Sequence, residues 1–193
     1  MKKILFVLPL LVILACNQEN EFYTLDDFEK VEKMDVHIHV GTSRDAFVEQ
    51  AKKDNFKLLN IVVDFTKGWE HIENQYAYRL DQKSRHPKQF EMATAFSIKE
   101  WDDPDWVANT IAWLDKSFKE GAIAVKVWKN IGMVFRDKDN ELIMVDNPKL
   151  DTIFDYLASK KIPLIGHLGE PKNCWLPLDE MTTNNDQNMS TRF

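Results

Sequence analysis

The segment FKLLNIVVDF, residues 56–65, decides the fold class, because seven of its ten residues are apolar and they do not alternate with polar ones. Nearly continuous apolar runs of this length are typical of strands that are covered on both faces in a parallel sheet. Other short segments with strand-forming residues occupy residues 34–40, 90–96, 122–128 and 162–168. We therefore expect five parallel strands.

The segments between these runs have the period of amphipathic helices. Apolar residues recur every three or four positions over residues 69–80, 107–118 and 150–157. A helix after each strand makes the chain an α/β protein. We expect Trp101, Trp106 and Trp113 to pack within the helix layer.

Four residues are expected to mark helix ends. Asp103 and Asn147 each precede a proline, which predicts an N-cap followed by a first-turn proline. Ser43 is expected to cap the first helix. Gly121 is expected to end the helix before the fourth strand.

The strands recur about every 32 residues, a spacing that would give an eight-unit (β/α)₈ barrel of about 250 residues. Only 26 residues follow His167. We therefore interpret residues 33–193 as the N-terminal part of such a barrel, with about its first five β/α units. The alternative is a five-stranded doubly wound parallel sheet. Its first strand-to-helix turn would be residues 40–43, VGTS, which is not a glycine-rich phosphate loop.

The composition is that of a globular protein, with 44% hydrophobic and 29% charged residues. Lys and Arg number 25 against 31 Asp and Glu, so the net charge is −6. A nucleic-acid partner is not expected, because phosphate binding needs a basic face. Two cysteines cannot build a disulfide framework.

The N-terminus has the pattern of a secretory signal. A basic start is followed by an apolar run at residues 4–14, which is too short for a membrane span. Residues 13–16, ILAC, resemble a bacterial lipobox, so residues 1–16 are predicted to be a lipoprotein signal with Cys16 lipidated. Residues 17–32 are then a polar tether. Asn17 favours the outer membrane, and we expect a cell-envelope protein anchored to the bacterial membrane.

Two histidines give the strongest chemical signal. His37 and His39 lie two residues apart on the first strand, so their side chains share one face. Their Cα atoms would be about 6.6 Å apart at roughly 3.3 Å per residue. Two imidazoles at that spacing can bind one cation.

A third histidine follows the last strand. His167 ends the fifth strand, between Gly166 and Leu168. The carboxyl ends of parallel strands meet at one edge, so His167 is expected to approach His37 and His39. His71 and His86 are expected on the solvated surface of a helix and its end.

Three stretches together resemble the metal-dependent amidohydrolase superfamily. They are DVHIH at residues 35–39, GAIAVKVW at residues 121–128 and IGHLGEP at residues 165–171. The nearest branch is the amidohydrolase-related group that includes aminocarboxymuconate-semialdehyde decarboxylase. The resemblance covers about residues 33–183. The order and spacing of the three motifs are more specific than His-x-His alone.

The resemblance implies a barrel with one divalent metal at the mouth formed by the carboxyl ends of the strands. His37, His39 and His167 match metal ligands of the family. Zn²⁺ is the expected metal, with Mn²⁺ or Fe²⁺ as alternatives. The family also uses a histidine on strand six and an aspartate on strand eight, and this chain stops before both.

Five further residues are candidates for roles at that mouth. Lys126 lies on the fourth strand and is expected to orient substrate or to pair with Asp64, which ends the second strand. Glu170 and Arg136 lie on loops and could contact substrate. Asp35 is expected to share the face of the histidine pair and to orient an imidazole.

The resemblance implies a small-molecule substrate whose ester, amide or lactone bond is attacked by metal-activated water. One alternative is a metal-dependent decarboxylase that uses the same site. Another is an inactive, lipid-anchored remnant that only binds metal.

Overall fold

The computed structural model describes residues 22–171, 173, 176, 177, 179 and 180. Its strands are β1 (Lys33–Ile38), β2 (Phe56–Ile61), β3 (Phe90–Ala95), β4 (Ala124–Val127) and β5 (Leu164–Gly166). Its α-helices are α1 (Ala46–Lys53), α2 (Trp69–Arg85), α3 (Trp106–Lys119) and α4 (Pro148–Lys160). The predicted signal segment, Cys16 and residues 181–193 lie outside the described residues.

The five strands form one curled, all-parallel sheet in the order β1-β2-β3-β4-β5. The predicted α/β class and parallel sheet are therefore confirmed. The ladders are shorter than the apolar runs, because several runs continue into the loops that follow the strands. Residues 62–65, for example, belong to the second apolar run but follow the end of β2.

The helices cover one face of the sheet. Met92, Val125 and Val127 on that face pack with residues from α2, α3 and α4. Ile38 and Leu58, farther along the same face, pack with α1. The opposite face carries a smaller apolar cluster of Ile61, Val63, Ala93 and Ala124, with Leu59, Trp128 and Ile165 against it. Apolar side chains on both faces explain why apolar and polar residues do not alternate along β2 and β4.

The predicted caps are confirmed at two of the four positions. Asn147 caps α4, since its side chain accepts a hydrogen bond from the backbone N–H of Lys149, and Pro148 follows it. Gly121 follows α3 with a φ of +102°, which glycine adopts without strain. The prediction at Asp103 is wrong, because its carboxylate accepts from Asp105 N–H in a turn before the helix. The prediction at Ser43 is also wrong, because α1 begins three residues later, at Ala46.

The tryptophans pack in the helix layer, as predicted. Trp101, Trp106 and Trp113 are all buried in the larger core. The indole N–H of Trp106 donates to the carbonyl of Ser97, and that of Trp113 donates to the carbonyl of Ala95, each at 2.8 Å. These bonds join α3 to the end of β3. None of the described helices is long and apolar enough to cross a membrane.

The described part of the predicted tether is attached to the sheet. Leu25–Asp27 form a single 3₁₀ turn. Asn55, in the turn before β2, donates from its side chain to the carbonyl of Lys30 at 2.8 Å. Residues 22–32 therefore lie against the end of the sheet at which β1 and β2 begin.

Candidate metal centre

His37 and His39 lie together at the C-terminal end of β1. Their ring centroids are 5.0 Å apart, and the rings meet edge to face at 76°. Both residues are exposed to solvent. The two imidazoles are therefore neighbours on one side of the strand.

A bulge in β1 places the histidine pair. Asp35 pairs with Leu58, whereas Ile38 pairs with Asn60, so three steps along β1 match two steps along β2. An extra residue of this kind bends a strand and changes the direction of the side chains that follow it. Alternation along β1 is thus interrupted between Asp35 and the histidines.

The bulge overturns the prediction for Asp35. Its carboxylate accepts a hydrogen bond from the backbone N–H of His37 at 3.0 Å, and not from an imidazole. Asp35 also lines a groove with Phe47, Ala51 and Leu58, on the side of the sheet that α1 covers. Asp35 therefore stabilises the bulged backbone and does not orient a ring.

His39 has a defined proton position. Its Nδ1 lies 2.9 Å from the carbonyl oxygen of Ile61. A carbonyl oxygen can only accept, so this contact requires the proton on Nδ1 and leaves the Nε2 lone pair available. Histidines that ligate metals are usually held by a bond of this kind from the other ring nitrogen.

The strand end after His39 is also fixed. Asn60 is fully buried, and its side chain accepts from the N–H of Val40 at 3.0 Å and donates to the carbonyl of Val40 at 2.8 Å. This two-bond pairing replaces ladder bonds where β1 leaves the sheet. It holds the backbone next to His39 against β2.

His167 lies at the same edge of the sheet. Its backbone N–H donates to the carbonyl of Val127 at 3.1 Å, one residue past the end of β5. Its ring meets the ring of Trp128 edge to face, with the centroids 4.9 Å apart. Its Nε2 is 3.9 Å from a carboxylate oxygen of Glu170. The half-buried imidazole is thus enclosed by residues that follow β4 and β5.

Three buried cations surround the histidines: Arg79, Lys126 and Lys129. Although His39 has solvent-exposed atoms, partial desolvation of its ring lowers its pKa. The bond to the carbonyl of Ile61 opposes this shift, and the charges of His37, Arg79 and Lys126 lower the pKa further. Burial also lowers the pKa of His167, with added effects from Lys126 and Lys129. Both shifts favour neutral imidazole, which is the form that binds a metal.

Lys126 and Asp64 line the same small cavity, together with Ala95, Phe96, Ile98, Trp128, Ile131 and Phe135. The predicted pair is not formed, since Lys126 has no ion pair with a carboxylate of the described residues. Its Nζ lies 5.6 Å from the centroid of the Trp128 ring instead. Asp64 accepts from the backbone N–H of Ile98 at 3.2 Å. Burial raises the pKa of Asp64 and lowers that of Lys126.

The two loop candidates differ in position. Glu170 is beside His167 and forms an ion pair with the buried Lys129. Arg136 is exposed, and its guanidinium donates to the carbonyl of Asn140 within its own turn. The structure therefore places Glu170 beside His167, at the end of the sheet that carries the histidines. Arg136 instead stabilises the turn of its own loop.

The predictions for the other two histidines are wrong. His86 is buried, and its Nε2 lies 2.9 Å from the carboxylate of Asp45. His71 is half-buried, with its ring 5.8 Å from that of Phe65. His86 contacts a residue that is 41 positions away in sequence, and His71 contacts a residue of the loop before α2. The spacing of apolar residues along the helix does not predict either contact.

Sequence reasoning missed Arg79 and Lys129. Arg79 has the spacing of an ordinary helix residue, and only the fold shows that its guanidinium reaches the carbonyl of Ile61. Lys129 had an available signal, because it follows Lys126 and Trp128 directly at the end of the fourth strand. Residues at that end of a parallel strand commonly belong to active sites.

The histidine pair fits half of a metal site. Within the described part of the chain, no group of three His, Cys, Asp or Glu side chains is close enough to hold a metal ion. His37 and His39 are adjacent, whereas His167 lies at the same edge and contacts Trp128 and Glu170. No protein-family model, curated protein or solved structure matches the chain.

Proposed function

We propose that this chain is a metal-dependent hydrolase of the amidohydrolase-related type, acting on a small-molecule ester, amide or lactone. One observation carries the proposal: His37 and His39 lie side by side, and the carbonyl of Ile61 holds His39 with Nε2 available. A histidine held through Nδ1, with Nε2 free toward solvent, has the arrangement that is usual for a metal ligand.

A (β/α)₈ barrel is the proposed architecture of the family fold. The strand order follows the chain order without reversal, and the described helices pack on one face. A doubly wound sheet reverses its strand order and carries helices on both faces. These two features support the barrel over the alternative.

His37, His39 and His167 are the proposed ligands of one divalent metal, with Zn²⁺ preferred and Mn²⁺ or Fe²⁺ as alternatives. Such a metal would supply Lewis acidity toward a carbonyl oxygen and would make water a stronger nucleophile. Glu170 lies beside His167 and can accept a proton. Lys126 lies in the adjacent cavity and can orient a polar substrate group.

A decarboxylase is the second candidate, and the buried cations favour it. Lys126 and Lys129 place two positive charges beside the histidines, although Glu170 offsets the charge of Lys129. A net positive site attracts a carboxylate substrate. Release of CO₂ from such a substrate, with no hydrolysis of esters or lactones, would identify the decarboxylase.

We also propose that Cys16 carries a lipid that anchors the protein in the cell envelope, with outer-membrane placement. The ILAC motif after a short apolar run supports this. Labelling with radioactive palmitate should mark the wild type and not the Cys16→Ser variant. Equal labelling of both chains would exclude the anchor at this cysteine.

Metal titration tests the enzyme proposal most directly. Wild type should bind up to one equivalent of Zn²⁺, and His37→Ala, His39→Ala and His167→Ala should each weaken binding at least about tenfold. His71→Ala is the control, because His71 matches His167 in being half-buried but is not a proposed ligand. Unchanged binding in all three variants would exclude this site. The loaded protein should then be assayed on ester, lactone and carboxylate substrates.

A further inference from the structure

An exposed apolar patch lies at the beginning of the described chain. Phe22 is 81% exposed, Tyr23 77% and Leu25 94%, and Phe28 beside them is half-exposed. Single exposed apolar residues are common on protein surfaces, but a cluster of four within seven positions is not. We call residues 22–28 the N-terminal patch.

The patch has a defined shape. Thr24 and Asp27 form a capping box around the 3₁₀ turn, with the Thr24 hydroxyl donating to the Asp27 carboxylate at 2.8 Å. The ring of Phe28 packs edge to face on Phe56, with the centroids 6.2 Å apart. Lys33 donates to the carbonyl of Phe28, and its Nζ lies 4.5 Å from the Phe28 ring centroid. Phe28 therefore holds the patch on the sheet while the turn exposes Leu25.

The patch and the histidines lie at opposite ends of β1. The patch adjoins Lys33, the first residue of β1, whereas His39 follows the last. Six residues of strand separate them, which corresponds to about 20 Å. A surface that contacts the patch would therefore leave His37 and His39, at the other end of β1, accessible to solvent.

The neighbouring sequence indicates what covers the patch. Cys16, the proposed lipid attachment, is six positions before Phe22, so an extended chain would place the two within about 20 Å. Residues 22–33 contain four acidic and two basic side chains, so anionic lipid would not attract this segment. Exposed Phe, Tyr and Leu are suited to the boundary between headgroups and acyl chains of a neutral bilayer.

We propose that the N-terminal patch inserts into the interface of the membrane that holds the lipid anchor. This inference rests on the proposed lipidation of Cys16. The patch acts as a second contact, which fixes the orientation of the domain. The end of the sheet at which the strands begin then faces the lipid, and His37, His39 and His167 face the aqueous side.

Site-directed spin labelling of the full-length protein in phosphatidylcholine vesicles tests the proposal. A nitroxide is attached at Leu25→Cys, or at Met144→Cys as the matched control, each in a Cys174→Ser background. Met144 is also an exposed apolar residue but lies on the loop after β4, at the histidine end. Position 25 should be more accessible to oxygen than to a water-soluble nickel complex, and position 144 should show the reverse.

The outcomes separate the patch from the anchor. Water-type accessibility at both positions, with palmitate still attached to Cys16, would overturn the proposed insertion of the patch but not the proposed lipid anchor. Lipid-type accessibility at position 25 of a chain that also carries Cys16→Ser, after vesicles are added, would support insertion of the patch without the anchor. Spin–spin broadening at position 25 without lipid accessibility would show that a second copy covers the patch. Tighter binding when half of the lipid is made anionic would also overturn the proposal.

Discussion

Arg79 and His39 bind the same backbone oxygen. Nη2 of Arg79 donates to the carbonyl of Ile61 at 2.9 Å, and Nδ1 of His39 lies 2.9 Å from that oxygen. One carbonyl thus uses both of its lone pairs, one toward a buried cation and one toward a candidate ligand. The end of β2 thereby couples a residue of α2 to the histidine pair.

Arg79→Met should raise the pKa of His39. The guanidinium charge is one of the influences that lower this pKa, so its removal makes the protonated imidazole less unfavourable. Zn²⁺ binding should then weaken more steeply below pH 7 than in wild type, because protons compete better for His39. NMR titration of the His39 ring measures the shift, and Arg136→Met, which removes an exposed arginine, is the control. An unchanged His39 titration in Arg79→Met would contradict the coupling.

Asp64→Asn should reduce the dependence of stability on pH. Burial raises the pKa of Asp64 in the folded state, so the folded chain binds this proton more tightly than the unfolded chain. The free energy of unfolding therefore falls as pH rises from the unfolded pKa to the folded one, and stays low above it. Removing the carboxylate should restore on the order of 1 kcal/mol at pH 7.

Denaturant unfolding at pH 4 and pH 7 measures this effect. Glu73→Gln, on the exposed side of α2, serves as a control that removes one solvated carboxylate. The difference between the two pH values should shrink in Asp64→Asn and remain in Glu73→Gln. Identical pH dependence in both variants would show that Asp64 carries no cost of burial.

Trp113→Phe should destabilise the protein by about 1–3 kcal/mol, since it removes buried volume and the donor to the carbonyl of Ala95. Trp101→Phe is the matched control, because Trp101 is also buried but its indole N–H donates no hydrogen bond to a described residue. The loss should be about 1 kcal/mol larger at Trp113. Equal losses in chemical denaturation would show that the hydrogen bond contributes little.

The order of strands and helices could be predicted because each leaves a local pattern. The apolar run at residues 56–65 and the apolar stripe of α3 can each be recognised from the spacing of apolar residues within that one segment. The start of α1 could not be predicted from Ser43, because the residue before the helix is Asp45, whose carboxylate binds His86 just after the end of α2. That contact joins residues 41 positions apart and has no local signal.

The candidate site was predictable only in part for the same reason. His37, His39 and His167 lie at one edge because parallel strands align their ends, a rule that sequence alone can apply. The position of Asp35 depends on a bulge, and strict alternation along β1 places it on the wrong side. The burial of Arg79 depends on the packing of α2 against β3, from which its guanidinium reaches the carbonyl of Ile61, and the polar character of an arginine does not predict this.

In the described part of the chain, the two outer strands of the sheet each have one unpaired side. Within the described residues, β1 pairs only with β2, and β5 pairs only with β4. Met34 and Val36 on β1 and Leu164 on β5 are exposed apolar side chains at those edges. Unpaired backbone groups next to apolar side chains favour association between sheets.

Val36→Lys should reduce self-association of the protein. Wild type is expected to form concentration-dependent oligomers through the β1 edge, since pairing there satisfies backbone donors and acceptors and buries Met34 and Val36. A lysine on that edge places a charge against any incoming strand and should raise the concentration for half-association about tenfold, equivalent to about 1.4 kcal/mol. Sedimentation velocity over a concentration series measures this. Val134→Lys is the control, because Val134 is also an exposed valine but lies on the loop after β4. A monomeric wild type, or equal effects of the two substitutions, would show that the β1 edge is not the contact.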